Sequence, residues 1–259
     1  MDKIRTGQYL VENNQITFLD TRFYYHEESN DYFPSVSTVL DAYPKNWAFY
    51  EWLKKEGDNA DSIRDAAAEK GSVVHKLTEQ YDNGEVVSLF DTDGKIRYRS
   101  QEWAEFEKYV DFRSKFPVEI LFTEQNFVSA KYKIGGTLDR RMNFLLPDGK
   151  KLKVIADIKT SNLLHPHYWL QLEAYKKLYE EKYPDDPVDT TCIIWLNAKT
   201  RGDGKKGDMQ GKGWQVKFPE KNHDHYWNLY KATYALWYEE NQDSKPKHTI
   251  YNLSHQIEQ

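Results

Sequence analysis

The chain of 259 residues is nearly without cysteine. Cys192 is the single one, set in the apolar run TTCIIWL, and it reads as a small buried hydrophobe. One thiol excludes an internal disulfide framework, a Cys-ligated zinc and an iron–sulfur cluster, and the composition fits a reducing compartment. Long apolar runs are also missing, so no segment approaches membrane-spanning length. The N-terminal stretch MDKIRTGQYLVENNQ has no apolar core and already carries acids, unlike a secretory or transit peptide. The expected setting is cytoplasmic, in a bacterial cell or a phage-infected host. Excess positive charge is lacking too: the formal net charge is −5. That argues against coating with nucleic acid over the whole surface but leaves room for a local basic groove.

Aromatics are abundant, with 19 Tyr, 12 Phe and 8 Trp. They supply core area despite the low apolar fraction, and flat rings on which bases stack. The length allows one large domain or two small ones.

Periodicity organises the chain. Residues 8–26 alternate apolar and polar around Asn13-Asn14, which predicts a hairpin of QYLVE and ITFLDTRFYYH. Ser35 or Ser37 stands as an N-cap for a helix through Val39, Leu40 and Tyr43. Helical spacing follows over Trp47–Lys55, Asp58–Tyr81 and Gln101–Lys115, with Gly71 an oddity inside the second. Strands are expected over Val118–Ser129, Tyr132–Phe144 and Lys151–Thr160, then a helix over Pro166–Tyr183, strands over Thr190–Asn197 and 214–218, and a helix over Asn222–Asn241. The loop 199–213 is rich in Gly and Lys, including Lys199, Arg201, Lys205, Lys206 and Lys212. It is either a phosphate grip or a solvated hairpin tip. The order predicts an α/β fold with a mixed sheet. One domain is expected: residues 1–116 a hairpin and helical part, 117–218 the sheet core, 219–259 a helix and polar tail.

Within the third strand, Asp157 and Lys159 are two apart and so share a face. An acid and a lysine at a central sheet position are tolerated when they are paired or bind something. An Asp–Lys ion pair on an exposed strand face is the plain alternative. The turn Pro147-Asp148-Gly149 would fold the preceding strand back, leaving Asp139 and Asp157 at similar distances from the pivot. Two neighbouring carboxylates call for a cation between them, and oxygen ligands favour Mg2+ or Mn2+.

IGGTLD, VIADIKTS and QLEAY, preceded by FPSVSTVL and EKGSVVHKL, resemble in order the motifs of the RecB-like exonuclease branch of the PD-(D/E)xK nuclease superfamily. The resemblance spans residues 33 to about 180. It implies a restriction-endonuclease-like core with a central mixed β-sheet flanked by helices. It also implies a divalent-metal-dependent DNA exonuclease, acting on single-stranded DNA or DNA ends in recombination, repair or replication. By the same resemblance, Asp139, Asp157, the Ile158 carbonyl and His75 hold Mg2+ or Mn2+, Lys159 is the catalytic lysine, and Gln171 and Tyr175 border the site and help hold the strand. Gln171 and Tyr175 are four apart and share a helix face; Tyr175 also fits a plain core stripe. Lys70 stands where the family often has Arg, which weakens bidentate contact.

Lesser candidates are Glu124, either supporting the metal or exposed, and Ser35, Ser37, Thr160 and Ser161 for phosphate. Arg140 and Arg141 point to opposite faces, so at most one reaches the site; Arg140 is the candidate for nucleic acid. The loop GDGKKGDMQGKG has no P-loop spacing, and neither His165-x-His167 nor His223-x-His225 has an HExxH or cysteine partner for zinc. A structure-selective flap or branch endonuclease, or a non-catalytic nucleic-acid-binding subunit, are the competing functions. DNA, and possible recombination or replication proteins, are the expected partners, with no membrane.

Overall fold

The computed structural model describes residues 4–6, 14–19, 21–198, 213–246 and 249–251. In chain order it holds β1 (Ile4–Thr6), β2 (Gln15–Phe18), β3 (Thr21–His26), β4 (Asp31–Pro34), α1 (Val36–Leu40), α2 (Trp47–Glu56), α3 (Ala60–Asp82) and α4 (Ser100–Lys115). There follow β5 (Val118–Ser129), β6 (Ile134–Leu145), β7 (Lys151–Lys159), α5 (His167–Lys182), β8 (Thr190–Trp195), β9 (Gln215–Lys217), α6 (His223–Asn241) and β10 (Thr249–Tyr251).

The central sheet has the order β5-β6-β7-β8-β9. All its pairings are antiparallel except β7 with β8, which is parallel. A parallel pair needs a long crossover, and α5 supplies it. The chain is therefore mixed α/β, with a five-stranded mixed sheet flanked by helices. An antiparallel sheet β2-β3-β4 stands at the N-terminal side. No helix among the described residues is long and apolar enough to cross a membrane.

Strand β7 reads as nearly continuous hydrophobics because both of its faces are covered. Val154, Ala156 and Ile158 join a core with Val74 of α3 and Tyr109 and Phe112 of α4. Ile155 joins the opposite core, with Val36 and Val39 of α1, Leu172 and Tyr175 of α5, and Tyr230 and Trp237 of α6. Alternation along the strand then gives Asp157 and Lys159 the face of Ile155.

Three expectations need correcting. The run ITFLDTRFYYH is two strands, β2 and β3, because the chain reverses after Phe18 with Leu19 at φ 48°. The expected partner strand QYLVE lies outside the described residues, as does the Lys-rich loop at 199–212. The polar tail also pairs: β10 runs antiparallel to β1. The start of the expected helix at Asp58 is a 3₁₀ turn, Gly57–Asn59, ahead of α3.

The glycines of IGGTLD are explained by close approach. A Cβ on Gly135 would lie 2.5 Å from both Cβ and Cγ of Tyr24. The base of that side chain cannot swing aside, so the N-terminal sheet meets β6 only over a bare backbone. Gly135→Ala is expected to lower stability by about 3 kcal/mol, the upper range for overpacking, in urea denaturation.

Arg141, almost wholly buried, ties β6 to the segment after α5 by donating to Asp186 Oδ2 at 3.0 Å. Lys153 Nζ adds a 2.6 Å bond to the other oxygen. Partial burial pushes the Asp186 carboxyl up, but the bonds from Lys153 and Tyr179 and the Arg141 charge outweigh it and bring it down to about 2. A depressed folded-state value stabilises above the unfolded value, about 3.8, and the gain is lost as pH falls toward 2. The stability deficit of Asp186→Asn against wild type should therefore be constant above about pH 5 and shrink between pH 4 and 2, read by denaturant titration at each pH.

Candidate functional site

His75 enters the site from α3, Glu124 from β5, Asp139 from β6, and Asp157 and Lys159 from β7. The register of β6 against β7 pairs Arg140 with Ala156, which places Asp139 and Asp157 across from each other one step further on. Ser35 caps α1, accepting from the Thr38 amide at 3.0 Å.

His75 Nδ1 lies 3.4 Å from Glu124 Oε1 and 3.4 Å from Asp139 Oδ2. On the other side of the ring, Nε2 donates to the Ile158 carbonyl at 2.9 Å. The Ile158 amide donates in turn to Asp139 Oδ2 at 2.7 Å. One donor atom each from His75, Glu124 and Asp139 falls within 4.8 Å of the others.

A second string of bonds runs beside this group. Lys159 Nζ is 2.6 Å from Asp157 Oδ2 and donates to Gln171 Oε1 at 3.0 Å. Gln171 Nε2 donates to the Tyr175 hydroxyl at 2.9 Å. The same ammonium stands 4.5 Å from the Tyr168 ring centre. Asp157 Oδ2 is buried, with the Lys159 ammonium as its ion-pair partner.

The charges respond to this crowding. Burial opposes a proton on His75, but Asp139 and Glu124 outweigh it and raise the imidazole to about 9. Burial also raises Asp139, against the pull of His75. Burial raises Asp157 to about 6, partly offset by Lys159. Burial lowers Lys159, but Asp157 and Asp139 carry it above the ordinary lysine value. The imidazolium is the counter-ion of the carboxylates, and it would have to shed a proton to bind a metal ion.

These donors suit a divalent cation. Two carboxylates and an imidazole converge, with Asp157, ion-paired to Lys159, alongside, and such a group could hold a metal ion. The histidine pairs weighed for zinc gather no third donor among the described residues. His165 and His167 stack ring on ring at 5.5 Å, and His223 bonds the buried Glu173.

The arrangement corrects the sequence reading at three places. Glu124, rather than Asp157, completes the compact group with His75 and Asp139, while Asp157 is engaged by Lys159. Glu124 falls opposite Asp139 in the β5–β6 register, between the pairs Thr123–Arg140 and Gln125–Leu138, and its backbone is left-handed, φ 43°. Arg140, expected at nucleic acid, is wholly buried and bonded to Asp82, so it presents nothing to a phosphate. Ser35 is likewise buried and spent on capping.

A cavity of about 580 Å³ opens over the group, lined by Ser37, His75, Glu124, Asp139, Asp157, Lys159, Gln171 and Tyr175. Its wall includes Arg22, a cation the sequence reading missed, whose side chain has no acidic partner within ion-pair distance among the described residues. Nothing local marks Arg22 in the sequence, because β3 reaches the site only through the packing of β3 on β6. A second cavity, about 340 Å³, is lined by Lys70, Thr160, Ser161 and Tyr168, and it shares Ala68, Gly71, His75 and Lys159 with the first. The oddity of Gly71 has a place here: it forms the wall common to both. Lys70 is paired with Glu105 at 2.7 Å.

Neither the protein-family models nor the curated protein sequences contain a match to this chain.

Proposed function

We propose that the chain is a divalent-metal-dependent deoxyribonuclease of the PD-(D/E)xK kind, built on a restriction-endonuclease-like core. The observation that carries this is the meeting of His75, Glu124 and Asp139 from three separate elements, with the Asp157–Lys159 pair at their side.

His75, Glu124 and Asp139 would hold Mg2+ or Mn2+, with Asp157 adjacent. When bound, such a cation supplies Lewis acidity toward a phosphodiester and makes water more acidic. The chain's own groups do the rest. Lys159, held by Asp157 and Gln171, presents an ammonium that neutralises charge growing on the phosphoryl oxygens and orients the incoming water. Its raised pKa suits a proton donor rather than a proton acceptor. Gln171 aims the amine, and Tyr175 holds Gln171. Arg22 and Ser37 on one side, and Thr160 and Ser161 on the other, are placed for neighbouring phosphates. Tyr168 and His167, with ring centres 4.7 Å apart, offer bases a stacking surface, which favours single strands or frayed ends.

Exonucleolytic action on such strands is the first reading. The continuation of the cavity to both sides of the metal donors supports a second, internal cleavage as by a flap or branch endonuclease. The deciding assay incubates end-labelled linear and circular single-stranded DNA with Mg2+ or Mn2+. Loss of linear DNA alone supports the exonuclease, and loss of circles supports the endonuclease. An absence of metal-dependent degradation, with wild type and Asp139→Asn alike, would leave only a binding module.

A further inference from the structure

Behind the carboxylates lies Arg140, with none of its side chain exposed. Its Nη1 donates to the Asp139 carbonyl at 2.6 Å and to Glu124 Oε1 at 3.3 Å. Its Nη2 donates to Thr78 Oγ1 at 3.0 Å, and that hydroxyl donates to the His75 carbonyl at 2.8 Å. Its Nε donates to Asp82 Oδ2 at 2.7 Å, and Asp82 is gripped in turn by the Tyr109 hydroxyl and Arg113. One planar side chain therefore touches each of the three segments that bring a donor to the metal group.

We infer that Arg140 is the positioning residue of the metal centre: its fork sets the Glu124 carboxylate, the Asp139 backbone and the turn of α3 under His75 relative to one another. The inference rests on the metal-centre reading above. Two features demand such a device. Glu124 sits in a left-handed backbone conformation, which a non-glycine residue keeps only when its surroundings impose it. Three carboxylates also converge in a buried place, and a fixed cation behind them offsets their repulsion without occupying the cavity. A lysine has one point charge and no fork, so it could not reach the four acceptors together.

The neighbouring residue provides the comparison. Arg141 is equally buried and equally bonded, to Tyr179, Asn143 and Asp186, yet touches none of the metal donors. The experiment is a calorimetric titration of the metal-free full chain with Mn2+, for wild type, Arg140→Lys, Arg141→Lys and Thr78→Val, with urea denaturation alongside. Both lysine variants should lose stability. Arg140→Lys should weaken Mn2+ binding about 10- to 100-fold, the range for partners of metal ligands, and Arg141→Lys should leave it unchanged. Thr78→Val, which keeps Arg140 but removes one acceptor and the link to His75, should weaken binding several-fold, and it carries the test if Arg140→Lys does not fold. Wild-type affinity in folded Arg140→Lys or in Thr78→Val, or equal weakening in Arg141→Lys, would overturn the inference. A wild type that binds no Mn2+ would overturn the metal centre itself, and the inference with it.

Discussion

Lys159→Ala is expected to lower metal-dependent DNA cleavage by about 10²- to 10³-fold, the usual effect of removing one preorganised donor from a charge-stabilising site. The same substitution removes a positive charge next to the metal donors. Mn2+ affinity should therefore hold or tighten while cleavage collapses. A residue that merely supported the fold would lose binding and activity together, so the opposite signs of the two effects are informative. Single-turnover cleavage of an end-labelled strand, with Mn2+ titration of the same preparation, reads both.

The second large effect is on stability. The Asp82 side chain has no exposed surface, and it faces the equally enclosed Arg140 at 2.7 Å and the partly exposed Arg113. Asp82→Ala leaves Arg140 with Glu124 as its remaining acid, at 3.3 Å, and Arg113 without its carboxylate. Breaking a buried pair from one side strands a charge away from water, at a cost of about 3–5 kcal/mol. Urea denaturation should show a loss of that size, against a much smaller loss for Lys54→Ala, whose partner Glu51 is solvent-accessible.

Much of the fold was legible because periodicity survives wherever an element has a plain inside and outside. Strands β5, β6 and β7, and helices α4, α5 and α6, lie within a residue or two of where alternation and helical spacing put them. The shared face of Asp157 and Lys159 followed from the two-residue repeat alone. Legibility failed where the backbone departs from its repeat or where partners are distant in sequence. Glu124 belongs to the site because it falls opposite Asp139 in the β5–β6 register, a pairing that the sequence of β5 alone does not reveal. The reversal after Phe18 splits an apparently continuous strand, because its alternation persists through a turn held at Leu19. Arg140 looks like a surface cation until Asp82, 58 residues earlier, is found beside it. Arg22 belongs to the cavity only through the docking of the N-terminal sheet on the bare backbone of Gly135.

The most direct test of the central claim is to locate the cation. Crystals soaked in Mn2+ and measured at a wavelength where manganese scatters anomalously should show a peak within about 2.5 Å of a nitrogen of His75 and of carboxylate oxygens of Glu124 and Asp139. A fully loaded crystal with no peak there, or with manganese held only by other residues, would contradict the account.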